Sequence, residues 1–352
     1  MQAASVVAVA GSMDLAKPII ARAEQADGSS PVSDQAILAA TQGQRELLLF
    51  SEAEAEQAHD AQGGSGEQPP VAVAILGQGE LDLVVDPPAR GRGVGTAALR
   101  ELLTLPRAAE AGPDREPGLL AWAHGENPAA TALLRGAGFA AVRSLYRMAL
   151  DPSLLPARTA DPFAVEFPAG YELRAFDADR AASTGHGAGQ PGDAGTEAGA
   201  EAPADAGADA SAWVAVNARA FATHPEQGRV TLADFALMRA EDWFDPNDLF
   251  LLAAPEGEDL AGFTWVKTLR DGERTETELY AIGVDPAQAG RGLGRALLDV
   301  TLARMAQHAP ERVTLYVDGE NERAVHMYEA AGFTIDSRST QWRGPGGRQV
   351  SE

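Results

Sequence analysis

Late in the chain the apolar positions change period. Residues 279–284 form a short run of β-favouring side chains, which predicts a strand, and a turn at Asp285-Pro286 follows. After a loop holding Gly290, Gly292 and Gly294, Leu293, Leu297, Leu298, Leu302 and Met305 recur at three- and four-residue spacing. That spacing predicts a helix from about Gly292, with a broad apolar side to lay on a sheet. Residues 313–317 predict a second strand, followed by a short helical stretch to Tyr328 and a Gly332-Phe333 turn. A glycine-rich turn feeding a helix start gathers unpaired backbone N–H groups at the positive end of the helix dipole. Such a turn suits a pyrophosphate. The spacing is neither Gly-x-Gly-x-x-Gly nor a P-loop, since no Lys follows the glycines.

The same pattern occurs earlier in the chain. Val84, Asp86, Gly91, Gly93 and Gly95 answer Gly283, Asp285, Gly290, Gly292 and Gly294, and Asn127, Gly138 and Phe139 answer Asn321, Gly332 and Phe333. A whole domain is therefore present twice. The expected boundaries are an N-terminal domain over 1–150, a proline-studded linker over 151–170 and a C-terminal domain over 171–345, whose first strand falls near 171–176. Residues 181–211 are nearly all Ala, Gly, Asp, Glu, Ser, Thr and Pro, a composition that buries too little apolar surface to offset the entropy of ordering. They are expected to be a disordered insertion ahead of a helix over 213–221, and excision of 185–209 is expected to leave activity nearly intact. Residues 60–70 read as another loose loop.

At 352 residues with 45% apolar content the chain can fill two cores. Fifty-one acidic against 28 basic residues give a formal charge of −23, which argues against nucleic-acid and anionic-membrane partners. Cysteine is absent, so disulfides, thiolate metal sites and Cys nucleophiles are excluded. The histidines, His224 and His326 among them, show no metal-ligand clustering, and no metal is expected. With no basic leader at the start and no apolar run of spanning length, the expectation is a cytoplasmic monomer.

The loop Arg90-Gly-Arg-Gly-Val-Gly95 and the run Asn321 to Tyr328 before Gly332-Phe333 resemble the two hallmarks of the GNAT N-acetyltransferase superfamily. That resemblance implies an α/β (α+β) fold of two tandem GNAT domains, each a mixed, mostly antiparallel sheet flanked by helices. Asn217-Ala-Arg-Ala-Phe-Ala-Thr-His-Pro-Glu-Gln-Gly-Arg229, Trp243-Phe-Asp-Pro246 and Gly262-Phe-Thr-Trp-Val-Lys267 narrow it, because they resemble the mycothiol synthase family. The resemblance covers both halves, from about Pro31 to Phe333. It implies acetyl transfer from acetyl-CoA to the cysteinyl amine of 1D-myo-inositol 2-(L-cysteinylamino)-2-deoxy-glucopyranoside, a small-molecule thiol precursor, in the last step of mycothiol biosynthesis.

Residue by residue, the resemblance puts Asp34, Glu226, Lys267, Glu278 and Tyr316 against the acceptor. Asp34 stands where the family more usually has Glu. Coenzyme contacts fall on Ile282, Gly283 and Val284, on the loop Ala289, Gly290, Arg291, Gly292, Leu293, Gly294 and Arg295, and on Asn321, Glu322, Arg323, Ala324, Val325 and His326. A second acetyl-CoA is implied on Leu83, Val84 and Val85, and on Gly91, Arg92, Gly93, Val94, Gly95 and Thr96. An amine acceptor needs a base and the leaving thiolate an acid, for which Glu278 and Tyr328 are the candidates.

The two copies differ at those positions. Tyr328 falls opposite Leu134 by the Gly-Phe register, and Glu278 falls opposite Gly79 by the loop register, with Glu80 expected on the other strand face. The loop's leading position is Arg90 in the first copy and Ala289 in the second. The C-terminal copy is thus expected to be catalytic and the N-terminal one degenerate. Two other readings fit the loops: a tandem GNAT acting on another small amine or a protein N-terminus, and a coenzyme-A sensor without turnover.

Overall fold

The structure is a computed structural model that describes residues 4–53, 68–106, 118–180, 207–222, 227–255, 259–272 and 274–345. His224, Glu226, residues 181–206 and most of the 60–70 loop lie outside the described residues. The chain forms two compact units. Unit 1 runs to Arg147 and also takes Val317–Glu322 and the chain from Ile335 onward, while unit 2 holds Met148–Tyr316 and Arg323–Thr334.

Unit 1 opens with β1 (Val6–Ala10), α1 (Met13–Asp27), α2 (Asp34–Thr41), β2 (Glu46–Glu52), β3 (Ala72–Gly77) and β4 (Glu80–Val85). The four strands are successive antiparallel neighbours. The chain then crosses over through α3 (Val94–Leu102), so β5 (Leu120–Ala123) lies parallel to β4. Next come α4 (Pro128–Gly136) and β6 (Ala140–Leu150). One face of the sheet packs Ile75 and Val84 against Ile19 and Ile20 of α1; the other packs Leu81 and Ala121 against Val94 and Leu99 of α3 and Leu134 of α4.

Unit 2 repeats the order with β7 (Glu172–Ala175), α5 (Ala208–Ala220), α6 (Leu232–Met238), β8 (Leu249–Ala253), β9 (Leu260–Asp271) and β10 (Arg274–Val284). After α7 (Leu293–His308) comes β11 (Arg312–Asp318), parallel to β10, then α8 (Glu322–Glu329). Trp213, Phe235, Phe263 and Trp265 are almost wholly buried between α5, α6 and the sheet, with Trp213 stacked on Phe235 at 4.3 Å. On the opposite face Leu293 and Leu297 of α7 meet Ile282 and Val284. Each unit therefore has the mixed, mostly antiparallel sheet with helices on both faces that the sequence led us to expect.

Two features depart from the sequence reading. The closing strand β12 (Thr334–Arg343) follows the second glycine-Phe turn in sequence, yet it pairs antiparallel with β5 and completes the sheet of unit 1. Secondly, α5 begins at Ala208, inside the stretch expected to be disordered. Asp209 is 1% exposed, receives two hydrogen bonds from the Arg174 guanidinium and accepts the Asp177 N–H at 3.0 Å. Composition concealed this pair, because only the fold brings Arg174 beside it. Excision through 209 would thus strip a buried counter-charge, a loss of about 3–5 kcal/mol. Deletion of 185–205 is expected to leave the unfolding midpoint and turnover unchanged, and extension of that deletion to 209 to lower the midpoint; thermal unfolding checks both.

Candidate active site

In unit 2 the strand that leads into the glycine loop is not regular. β10 pairs residue for residue with β9 from Arg274↔Asp271 to Leu279↔Val266, then resumes at Ala281↔Trp265, so Tyr280 is an extra residue, a β-bulge. Paired residues share a face. Glu278 therefore lies on the same face as Lys267, its partner on β9, and as Thr314, its partner on β11. Tyr316, two residues beyond Thr314, shares that face. It is the face of Trp265, covered by α5 and α6. The bulge also turns Tyr280 toward it, with its ring 5.0 Å from Trp265 and 5.1 Å from Trp243. Lys267, 9% exposed, carries its ammonium 5.1 Å above the Trp243 ring and 5.6 Å from that of Tyr280.

Parallel pairing between β10 and β11 runs only from Glu276↔Arg312 to Leu279↔Leu315, although β10 continues to Val284. Past the bulge the strand edge at Ile282, Gly283 and Val284 is released from that ladder. Gly283 sits there without room for a side chain, since a Cβ would stand 2.6 Å from the Phe263 ring.

The loop beyond is built by backbone conformation. Asp285 accepts the Ala287 N–H at 2.9 Å and the Arg219 guanidinium at 2.6 Å, which fixes the end of β10. Gly290 and Gly292 both have φ near +79°, and nothing lies within 4 Å of where a Cβ would stand. Glycine is thus required by the left-handed φ and leaves open space at the N-terminus of α7. Gly294, in the first turn, faces Val284 and Met327 of α8, which would stand 3.9 and 3.8 Å from a Cβ placed there. Ala289, Arg291 and Arg295 of the loop are exposed, as are Asn321, Glu322, Arg323 and His326 at the start of α8.

Tyr328 lies near the end of α8. It is 5% exposed, its ring 6.0 Å from that of Phe333, and burial pushes its hydroxyl well above the ordinary phenol range. Phe333 N–H donates to Tyr328 O at 3.1 Å, as Phe139 N–H donates to Leu134 O at 3.0 Å, so Leu134 is the counterpart of Tyr328.

The other pairing of the copies needs correction. β4 has no bulge: Gly77↔Glu80 to Ala72↔Val85 pair without interruption. Counting back from Val85 and Val284 through the ladders, the bulge absorbs one residue, and Glu278 falls opposite Glu80, not Gly79. Glu80 shares a face with Asp82 and Val84 and is 3% exposed, held by Arg45 at 5%. The first copy therefore keeps a carboxylate at this position and clamps it with a buried arginine. Sequence spacing gave no sign of the bulge.

In unit 1 the loop has the same build, with Gly91 and Gly93 at φ +74° and +85°, and Gly95 facing Val85 and Leu133. Arg22 grips Asp86 through two bonds of 2.8 and 2.9 Å, the counterpart of Arg219 on Asp285. Arg90, at the head of the loop, is forked onto Asp27 at 2.6 and 2.8 Å. Arg92 pairs with Glu52 at 3.1 Å, Val94 is buried and Thr96 exposed. Leu83, Val84 and Val85 occupy the end of β4, beyond its last parallel pair Leu81↔Ala121. Asp34 is exposed in the first turn of α2, after Ser33, whose hydroxyl accepts the Ala36 N–H. Among the described residues no helix is long and apolar enough to cross a membrane and no cluster of His, Cys, Asp and Glu could hold a metal ion.

Comparison with known proteins agrees with this fold. Residues 215–333 match the acetyltransferase (GNAT) family. The mycothiol acetyltransferase of Frankia alni is 38% identical over 95% of this chain and 92% of its own length, and that of Clavibacter sepedonicus is 36% identical over 94% and 92%. Among solved structures, a tandem GNAT protein from the clavulanic acid biosynthesis pathway covers 98% of this chain and 99% of its own at 17% identity and TM-score 0.61. A GCN5-related N-acetyltransferase from Sphaerobacter thermophilus covers 99% and 98% at 20% identity and TM-score 0.58. These two share the fold. Near-full-length identity to the curated relatives decides the family: the chain is an acetyltransferase that belongs to the mycothiol acetyltransferase family.

Proposed function

We propose that unit 2 transfers the acetyl group of acetyl-CoA to the cysteinyl amine of cysteinyl-glucosaminyl-inositol, completing mycothiol. The observation that carries this reading is the β10 bulge. It turns Glu278 onto the face of Lys267 and Tyr316, beside a released strand edge that ends in a left-handed glycine loop. The open loop fits a pyrophosphate, and Ile282, Gly283 and Val284 fit the arm that joins it to the thioester. Arg323 to His326 flank that arm. Arg291 and Arg295, both exposed, supply the positive charge that Ala289 does not.

A free α-amino group titrates near ~8, so a carboxylate of modest basicity is enough to release its lone pair at neutral pH. Glu278 takes that proton, directly or through a water. N–H groups of 282–284 hydrogen-bond the oxyanion that forms as the amine attacks. Tyr328, kept protonated by burial, gives its proton to the departing thiolate. Transfer is direct, and the chain has no cysteine to carry an acyl group. Lys267, Tyr316 and Glu226 hydrogen-bond the sugar, inositol and cysteinyl groups. Unit 1, with its Glu80 clamped and Leu134 in place of the phenol, holds a second acetyl-CoA on Leu83 to Val85 and Gly91 to Thr96 and does not acetylate the acceptor. Acetyl-CoA supply sets the reaction in the cytoplasm.

The test is thiol release from acetyl-CoA with and without cysteinyl-glucosaminyl-inositol. Release that depends on this acceptor, and is weaker by orders of magnitude with aminoglycosides, polyamines or peptide N-termini, supports the proposal; equal rates across the panel overturn the acceptor assignment. Tyr328→Phe is expected to slow turnover about tenfold, less than loss of the base, because water can supply the proton. Unchanged kinetics would reduce Tyr328 to packing against Phe333.

A further inference from the structure

The α1 and α2 face of the unit 1 sheet carries charge where apolar side chains would be expected. Glu80 and Asp82 are 3% and 4% exposed, and Arg45 donates to Glu80 and stands 3.7 Å from one Asp82 oxygen. His124, just past β5, places Nε2 3.7 Å from the other Asp82 oxygen, with Trp122 stacked on its ring at a centroid distance of 5.8 Å. Asp82 Oδ1 and His124 Nε2 are both buried, and neither has a hydrogen-bond partner in the protein. Buried polar atoms rarely go unpaired. His124 and Trp122 line a cleft of unit 1 with Leu83 and Asn127, at the place where β4 and β5 have stopped pairing.

A separation of 3.7 Å is too long for a hydrogen bond, but one oxygen standing about 2.8 Å from each atom would satisfy both. The group that fits is the size of water, and with the Nε2 of His124 unprotonated it donates one hydrogen to each of the two atoms. Glu80 cannot serve, because Arg45 holds it. We propose that unit 1 is a thioesterase site: His124 activates a water, oriented by Asp82, against the acetyl thioester held between the parted ends of β4 and β5. This rests on the reading that unit 1 holds its own acetyl-CoA. His124 Nε2 takes a proton from the water as its oxygen bonds to the acetyl carbonyl carbon. The C–S bond then breaks, its electron pair leaves on sulfur, and the imidazolium returns the proton to the thiolate. Acetate, free CoA thiol and one proton to solvent result. With Leu134 where the other copy has a phenol, His124 serves as both base and acid, and the Asp82 carboxylate stabilises the imidazolium between the two steps.

The experiment uses the full chain with Glu278→Gln and Tyr328→Phe, so that unit 2 is silenced, and no acceptor. Equilibrium dialysis counts bound acetyl-CoA, and a thiol reagent follows CoA release. Two equivalents bound and release above the protein-free blank are expected, with the release lowered about 100-fold by an added His124→Gln, the scale of a general base. Retention of both equivalents by that variant shows that its fold is intact. Two equivalents with release at the blank, or release that His124→Gln leaves unchanged, overturns the thioesterase and leaves the second coenzyme site standing. A single equivalent overturns both.

Discussion

Glu278→Gln is expected to lower turnover by about 100-fold or more, with little change in the acetyl-CoA concentration needed for half-maximal rate. Glutamine keeps the shape of the side chain and its place opposite Lys267 on β9, so the face shared by Lys267, Thr314 and Tyr316 survives. What it loses is a site for the amine proton. The distinction is visible against pH. If Glu278 only holds the acceptor in place, the variant raises the acceptor KM and keeps its rate at saturation. If Glu278 takes the proton, the rate at saturation falls, and it recovers as rising pH lets more of the α-amino group, near ~8 when free, arrive already deprotonated. Steady-state kinetics from pH 6 to 9 separate the two outcomes, and near-normal turnover throughout would remove Glu278 from the role of base.

Much of this molecule can be read from the chain, and the failures share a cause. The glycine loops, the helix after each and the Gly-Phe turns were legible because they depend on residues adjacent in sequence; the structure adds that Gly290 and Gly292 take the left-handed φ that glycine adopts without strain. The doubling was legible for the same reason. What was not legible was set by pairing between distant strands. The bulge at Tyr280 has no residue signature, since Leu279, Tyr280 and Ala281 alternate no differently from a regular strand, and it moved the counterpart of Glu278 from Gly79 to Glu80. The degenerate first copy was inferred from Leu134 opposite Tyr328 and from Gly79 opposite Glu278; the first pairing stands, and the second position holds the buried carboxylate of Glu80. The Arg174–Asp209 pair was hidden by the composition around it, and Arg22 and Arg219 gave no local sign that each would brace the aspartate at the head of its loop. Glu226 lies outside the described residues, so its place among the acceptor contacts rests on resemblance.

Asp248→Asn is expected to destabilise unit 2 by about 3 kcal/mol at neutral pH, the largest stability loss of the single substitutions considered. Asp248 is wholly buried where β8 begins. It accepts from Arg304 Nε at 2.5 Å, from His308 Nε2 at 2.7 Å and from Thr268 Oγ1 at 3.1 Å, and so ties the last turns of α7 to β8 and β9. Burial by itself would raise its pKa, but the hydrogen bonds and charges of His308 and Arg304 outweigh that and hold it below the usual carboxylate value. A carboxylate depressed by folding stabilises at every pH above its unfolded pKa, about 3.9, and its contribution fades as pH falls through the lower folded value. Asparagine matches the shape but removes the buried negative charge to which Arg304 and His308 donate, leaving Arg304 only Asp245 at 3.6 Å, so the gap between the two proteins should be full at pH 7 and narrow only in acid below about pH 3.9. Urea unfolding of both proteins at pH 7 and pH 3 measures it. A gap that stays constant across that range would mean the side chain acts through shape and hydrogen-bond count alone, and the charge of this cluster would have no part in holding α7 to the sheet.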